Sequence, residues 1–140
     1  MKLVNNLFFK GECRQAFERY AEVLGGEITA MFTFRDAPAD MPVEEGSKNL
    51  IMHAWLQIGD QAIMGCDTPK SHQQNMSGFS IAYHSQDAVE ARRVFDALAD
   101  GGVTTMPFAE TFWSPGFGML TDRFGTPWMI NTNPAETSRP

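Results

Sequence analysis

Leu50-Ile51-Met52-His53-Ala54-Trp55-Leu56-Gln57-Ile58 runs into Gly59-Asp60 and out again through Gln61-Ala62-Ile63-Met64-Gly65-Cys66. Two apolar-rich runs around a Gly-Asp pair predict a tight β-hairpin. Side chains alternate across a strand, so the first run has two faces. Leu50, Met52, Ala54, Leu56 and Ile58 form a wholly apolar face that should pack beneath a helix. Ile51, His53, Trp55 and Gln57 form a mixed one. A solvent-washed face rarely carries a tryptophan, and a sealed core rarely holds His and Gln together. A concave, partly wet pocket suits that mixture; a strand facing a dimer interface or a loop is the other reading.

Two helices flank this hairpin in the chain. From Glu12 to Leu24, the apolar positions Cys13, Ala16, Phe17, Tyr20 and Leu24 share one helical face, and Gly25-Gly26 stops the run. From Asp87 to about Asp100, Ala91, Val94, Phe95 and Leu98 do the same before Gly101-Gly102. Asp87 is placed to cap the second helix, with Glu90 as capping-box partner. A shift of 78 residues lays Cys13, Ala16, Phe17 and Tyr20 on Ala91, Val94, Phe95 and Leu98, a faint internal duplication in pattern only.

Each helix has one strand-like segment before it and three after. These are Leu3–Phe9, then Glu27–Phe34, Leu50–Ile58 and Gln61–Cys66; and Phe79–His84, then Val103–Phe108, Gly118–Asp122 and Pro127–Thr132. Arg123-Phe124-Gly125-Thr126 joins the last two. The polar, proline-bearing stretches 35–49 and 67–77 read as loops, and the tail 133–140 as frayed. The expectation is one α+β domain over residues 1–140, built as βαβββ twice, with module one over about 1–68 and module two over about 78–133. A helix covers only one face of its sheet, so the other face is free to line a cavity between the halves.

At 140 residues with 43% apolar and 20% charged residues, the chain fits one globular domain. No apolar run is long enough to span a bilayer, and residues 1–6 lack the apolar stretch of a signal peptide. The net charge of −6 and the lack of a basic patch argue against nucleic acid and anionic membranes as partners. Cys13 falls on a helix stripe and Cys66 ends a strand. Neither has a second ligand at metal-binding spacing, and both read as reduced residues of a cytoplasmic protein. No nucleophile elbow occurs.

The residues also resemble a known family. The matching pieces are Leu7-Phe8-Phe9-Lys10-Gly11-Glu12-Cys13-Arg14-Gln15-Ala16-Phe17, His53 to Gly59, Met64-Gly65-Cys66-Asp67, Glu110-Thr111-Phe112-Trp113 with Phe117-Gly118, and Asp122 to Asn131 through Arg123-Phe124-Gly125-Thr126-Pro127-Trp128. They are similar to the PhnB-like branch of the vicinal oxygen chelate superfamily, which includes glyoxalase I, bleomycin-resistance proteins and extradiol dioxygenases. The resemblance implies a glyoxalase-like fold of paired βαβββ modules curving round a cleft, in a homodimer. Proteins of this branch have carried a demethylubiquinone methyltransferase label. The sequence argues against that chemistry, because no glycine-rich turn of a doubly wound sheet follows the first strand.

The resemblance further implies metal ligands on the first strand of each module and a carboxylate on the last strand. The corresponding residues here are Asn5 or Asn6, a position among Gly78–Ser80, and Met129. An amide, a hydroxyl and a thioether are poor ligands for the divalent metals that imidazole and carboxylate hold, so the expectation is no metal and no cofactor. What remains is a module binding a small molecule, with Asn6, Phe8, Trp55, Gln57, Trp113, Phe117, Met119 and Met129 as ligand-binding residues and the Phe112-Trp113 segment as lid or plug. The alternative is a lyase, isomerase or dioxygenase using an atypical metal site or His53 as acid–base group, with Glu110 and Asp122 as candidates to orient it.

Overall fold

The computed structural model describes residues 1–133; most of the tail expected to fray lies outside them. The chain divides into two compact units, the first ending at Asn75 and the second beginning at Met76. Module one runs β1 (Asn6–Phe9), α1 (Cys13–Leu24), β2 (Glu27–Thr33), β3 (Ile51–Ile58) and β4 (Gln61–Asp67). Module two runs β5 (Ile81–Ser85), α2 (Ala88–Ala99), β6 (Val103–Ala109), β7 (Phe117–Thr121) and β8 (Pro127–Thr132). Each forms its own four-stranded mixed sheet, in the orders β1-β4-β3-β2 and β5-β8-β7-β6. The first strand of each pairs in parallel with the last, and the other pairs are antiparallel. The architecture is the α+β, glyoxalase-like one.

Local chemistry sets the helix ends. Gly25 takes the left-handed conformation (φ 72°) that closes α1, which costs a residue without Cβ little. Asp87 caps α2 by accepting from the amides of Val89 and Glu90. The expected reciprocal box does not form. Glu90 pairs instead with Arg93 one turn on, a better partner for a carboxylate than a backbone amide. Strand edges shift too: β1 begins at Asn6 rather than Leu3, and β5 at Ile81 rather than Phe79.

The cores lie between helix and sheet. Leu7, Phe9, Ala16, Phe17, Tyr20, Ala54 and Leu56 are buried in module one, and Ala91, Val94, Leu98, Leu120, Trp128 and Ile130 in module two. In module one Gly65 lets α1 approach. A Cβ there would stand 2.6 Å from the Phe17 ring. Gly65 pairs with Ala54 and with Leu7, so those residues mark the face under α1. His53 and Trp55 lie on the opposite one.

Two buried aspartates organise the modules. Asp67 accepts from the amides of Gly11 (3.0 Å) and Cys13 (2.9 Å) with Oδ1, and from Ile51 (2.9 Å) with Oδ2. It ties the end of β4 to the start of α1 and of β3. Asp122 accepts from the amides of Phe124 and Thr126 and from Trp128 Nε1 (2.8 Å). It is spent on its own turn, so its expected role beside His53 gives way to a structural one.

Candidate functional site

In module one the face turned away from α1 carries Asn6 and Phe8 from β1, Met64 and Cys66 from β4, His53, Trp55 and Gln57 from β3, and Ala30 and Phe32 from β2, as the register places them. All five residues expected in this half, Asn6, Phe8, His53, Trp55 and Gln57, therefore share one face. Ile51 is buried at 2% exposure, beside a register shift of β2 between Phe32 and Thr33, and contributes little to it.

The aromatic rings of this face are accessible. Phe8 is 57% and Phe32 48% exposed. Phe32 and His53 stack with ring planes 18° apart and centroids 6.2 Å apart. Trp55 donates Nε1–H to Gln57 Oε1 at 2.8 Å, Gln57 donates onward to the Gly59 carbonyl, and Lys2 Nζ stands 5.8 Å from the Trp55 ring centroid. Trp55 and Gln57 are thereby held in orientation, with the indole half-buried and the Lys2 ammonium over its ring. Gln57 uses one lone pair and one N–H in these bonds, and keeps a second of each. With the Asn6 Oδ1 atom and the His53 imidazole, it makes up the polar groups of this face.

Sequence reasoning missed Phe32. Ile28 and Ala30 are two residues apart, so plain alternation puts them on one face. A bulge between them pairs Ile28 with Leu56 on the helix side and Ala30 with Trp55 on the other. Everything after the bulge, Phe32 included, is turned over.

In module two Phe117, Met119 and Met129 lie on the face turned away from α2. The other face is marked by Gly118, where a Cβ would meet the Phe95 ring at 2.7 Å. Trp113 packs edge-on to Phe117 (5.4 Å) and Phe112 edge-on to Trp113 (4.8 Å). Phe117 is buried by this stack, so it supports Trp113 rather than offering its own ring. Ser114 anchors the loop, its Oγ lying 2.8 Å from both the Gly116 and the Thr132 carbonyl oxygens, between which its single O–H is shared. Glu110 is exposed. A separate cavity of about 230 Å³ in module one is lined by Lys10, Glu44, Glu45, Lys70 and Gln73 among others; no residue expected in the site lines it.

The metal positions implied by the resemblance can be tested on their donors. Asn6 Nδ2 is directed at Cys66 Sγ, 3.5 Å away. Residues 78–80 precede β5 rather than lying in it, so the strand position opposite Met129 is Ala82, and not among Gly78–Ser80. An amide, a methyl group and a thioether do not fit a divalent ion that takes imidazole and carboxylate. Among the described residues no three His, Cys, Asp or Glu side chains converge.

Cys13 and Cys66 are both free. Burial pushes the Cys66 thiol up, the Asn6 contact lowers it less, and Asp67 raises it again. Burial also raises Cys13 strongly, with Asp67 adding to it. Thiolate is the reactive form. At pH 8 iodoacetamide should therefore alkylate Cys66 more slowly than free cysteine, and Cys13 only after unfolding. Mass-spectrometric time courses check this; rapid labelling of Cys66 would contradict it.

A family model described as 3-demethylubiquinone-9 3-methyltransferase matches residues 1–131. Protein YjdN of Escherichia coli K12 is 36% identical over 141 residues, covering 94% of this chain and 95% of its own. The crystal structure of protein PA1353 from Pseudomonas aeruginosa is 41% identical with a TM-score of 0.88, covering 96% of this chain and 99% of that one. The PhnB protein of Bacillus cereus shares the fold at 23% identity and a TM-score of 0.77, over 94% and 99% of the two chains.

Proposed function

The chain belongs to the family described as 3-demethylubiquinone-9 3-methyltransferase, the PhnB-like branch of the glyoxalase superfamily, and from that membership we propose that it binds a flat, aromatic small molecule rather than transferring a methyl group. The observation that carries this reading is the open face of module one. Phe8 and Phe32 are exposed there beside the half-buried Trp55, and Asn6 Oδ1 and His53 supply polar groups. Flat rings stack favourably on such side chains, and a few polar groups among apolar ones fix orientation.

Two features weigh against chemistry on this face. His53 meets a phenyl ring, and among the described residues no carboxylate is bonded to it to hold its tautomer as an acid–base pair requires. Each sheet is four-stranded with its crossover inside a βαβββ unit, not the doubly wound sheet that holds S-adenosylmethionine in the usual methyltransferases. Both cysteines are free, which suits a reducing cytoplasm, and no helix among the described residues is long and apolar enough to cross a membrane. A homodimer in the cytoplasm completes the proposal, on the family likeness.

The test is a thermal-shift screen of planar aromatic metabolites followed by calorimetry. A ligand at a hundred times its Kd should stabilise the protein by about 2.7 kcal/mol. Trp55→Ala should weaken that ligand roughly tenfold, equivalent to about 1.4 kcal/mol. Stoichiometric binding of S-adenosylmethionine, or aromatic binding untouched by Trp55→Ala and His53→Ala, would overturn the reading.

A further inference from the structure

The two modules share one register. In module one the strands align Ala30, Trp55, Met64 and Asn6 in a single row across β2, β3, β4 and β1. In module two the equivalent row across β6, β7, β8 and β5 reads Met106, Met119, Met129 and Ala82. Even the bulge recurs, between Ile28 and Ala30 in one and between Thr104 and Met106 in the other. Where module one sets a methyl group, an indole, a thioether and an amide, module two sets three thioethers side by side.

Directly paired residues on adjacent strands point to the same face, with Cβ atoms about 4.5–5.5 Å apart. Met119 is the central member, and Met106 and Met129 flank it. A methionine side chain is unbranched, with three rotatable bonds, so the outer two can lean over the middle one and bring three sulfur atoms to one point. Met106 is 41% exposed, so the row is open to an incoming ion. The nearest imidazole on the open face, His84, pairs with Asn131 rather than with a methionine of the row, and its Nδ1 lies 3.2 Å from Asn131 Nδ2. The row itself therefore offers sulfur only, and no negative charge.

We propose that Met106, Met119 and Met129 form a binding site for a soft monovalent cation, Cu(I) or its redox-inert analogue Ag(I). Thioether sulfur selects soft ions over the divalent metals that oxygen and nitrogen donors favour. A neutral donor set also suits a single positive charge better than two. The thioether at Met129 that disqualifies a divalent centre is thus the feature that admits a monovalent one. This site lies in module two, goes beyond the aromatic-ligand reading, and stands or falls separately from it.

The experiment uses the full chain with Cys66→Ser, which removes the accessible thiol, and methionines labelled with carbon-13 in the methyl group. Silver nitrate is titrated in. Of the nine methionine methyl signals, those of Met106, Met119 and Met129 should shift together and saturate at one equivalent. Cu(I), supplied anaerobically against a chromogenic chelator, should bind with the same stoichiometry. Met119→Leu, close in volume, should weaken both ions by at least the roughly tenfold that losing even an outer-shell partner costs, whereas Trp55→Ala should leave them bound as before. Three unshifted methyl signals, or unchanged affinity in Met119→Leu, would overturn the site. Because the signals are read in a protein with all three methionines intact, misfolding of a variant cannot decide the result.

Discussion

Asp67→Ala lowers the melting temperature by roughly 12–16 °C, the counterpart of about 4 kcal/mol in a chain of this size. The reason is the number of donors that one carboxylate serves. Its removal strands the amides of Gly11, Cys13 and Ile51. Asp67 is 3% exposed, so water does not readily replace it. A buried donor left without an acceptor costs about 1–3 kcal/mol. Two of the three amides stand at the start of α1, where the helix's own ladder provides no acceptor. Asp67→Asn keeps one acceptor oxygen but turns an NH₂ group toward an N–H, so it should fall between wild type and alanine. Thermal unfolding followed by far-ultraviolet circular dichroism measures both. A loss below about 1 kcal/mol for Asp67→Ala would mean that the carboxylate is not the tie described here.

Gly65→Val should cost about 3 kcal/mol, the upper part of the range for overpacking a core. An added Cβ stands 2.6 and 2.7 Å from two Phe17 ring carbons and 3.2 Å from the Phe9 ring. Neither ring has room to yield. Phe17 is fully buried, Phe9 is 1% exposed, and the two already meet edge to face at 6.0 Å. The helix must lift from the sheet or the strand must bend. Gly65→Ala should show a smaller loss of the same origin. Chemical denaturation with fitted midpoints tests the order wild type, alanine, valine; a valine variant as stable as wild type would show that α1 does not rest on this contact.

Much of the architecture was legible because apolar periodicity reports burial directly. Cys13, Ala16, Phe17 and Tyr20 are buried as expected, as are Ala91, Val94, Phe95 and Leu98, whereas Leu24, expected on the first stripe, is half-buried and Val23 is buried. The alternation through β3 separated Ala54 and Leu56 from His53 and Trp55 correctly. What periodicity does not carry is a change of phase. The bulge before Ala30 hid Phe32, and nothing in Glu27–Thr33 marks it, since no glycine stands there. Hydrogen bonding was equally illegible. Asp67 and Asp122 look in the sequence like any polar residues beside turns, and their buried positions depend on which amides the folded chain brings to them. The loop 110–116 was legible only as aromatic and glycine-rich; its stack of Phe112, Trp113 and Phe117 depends on where Ser114 pins it.

The three tryptophans occupy unlike surroundings. Trp128 is sealed against Asp122, Trp55 is half-covered on the module one face, and Trp113 is 50% exposed beside Phe117. Their fluorescence should therefore separate by colour, from bluest at Trp128 to reddest at Trp113, and only the outer two should be quenched by acrylamide. Variants retaining one indole at a time would make the molecule its own optical gauge, reporting the second core, the aromatic face and the loop independently.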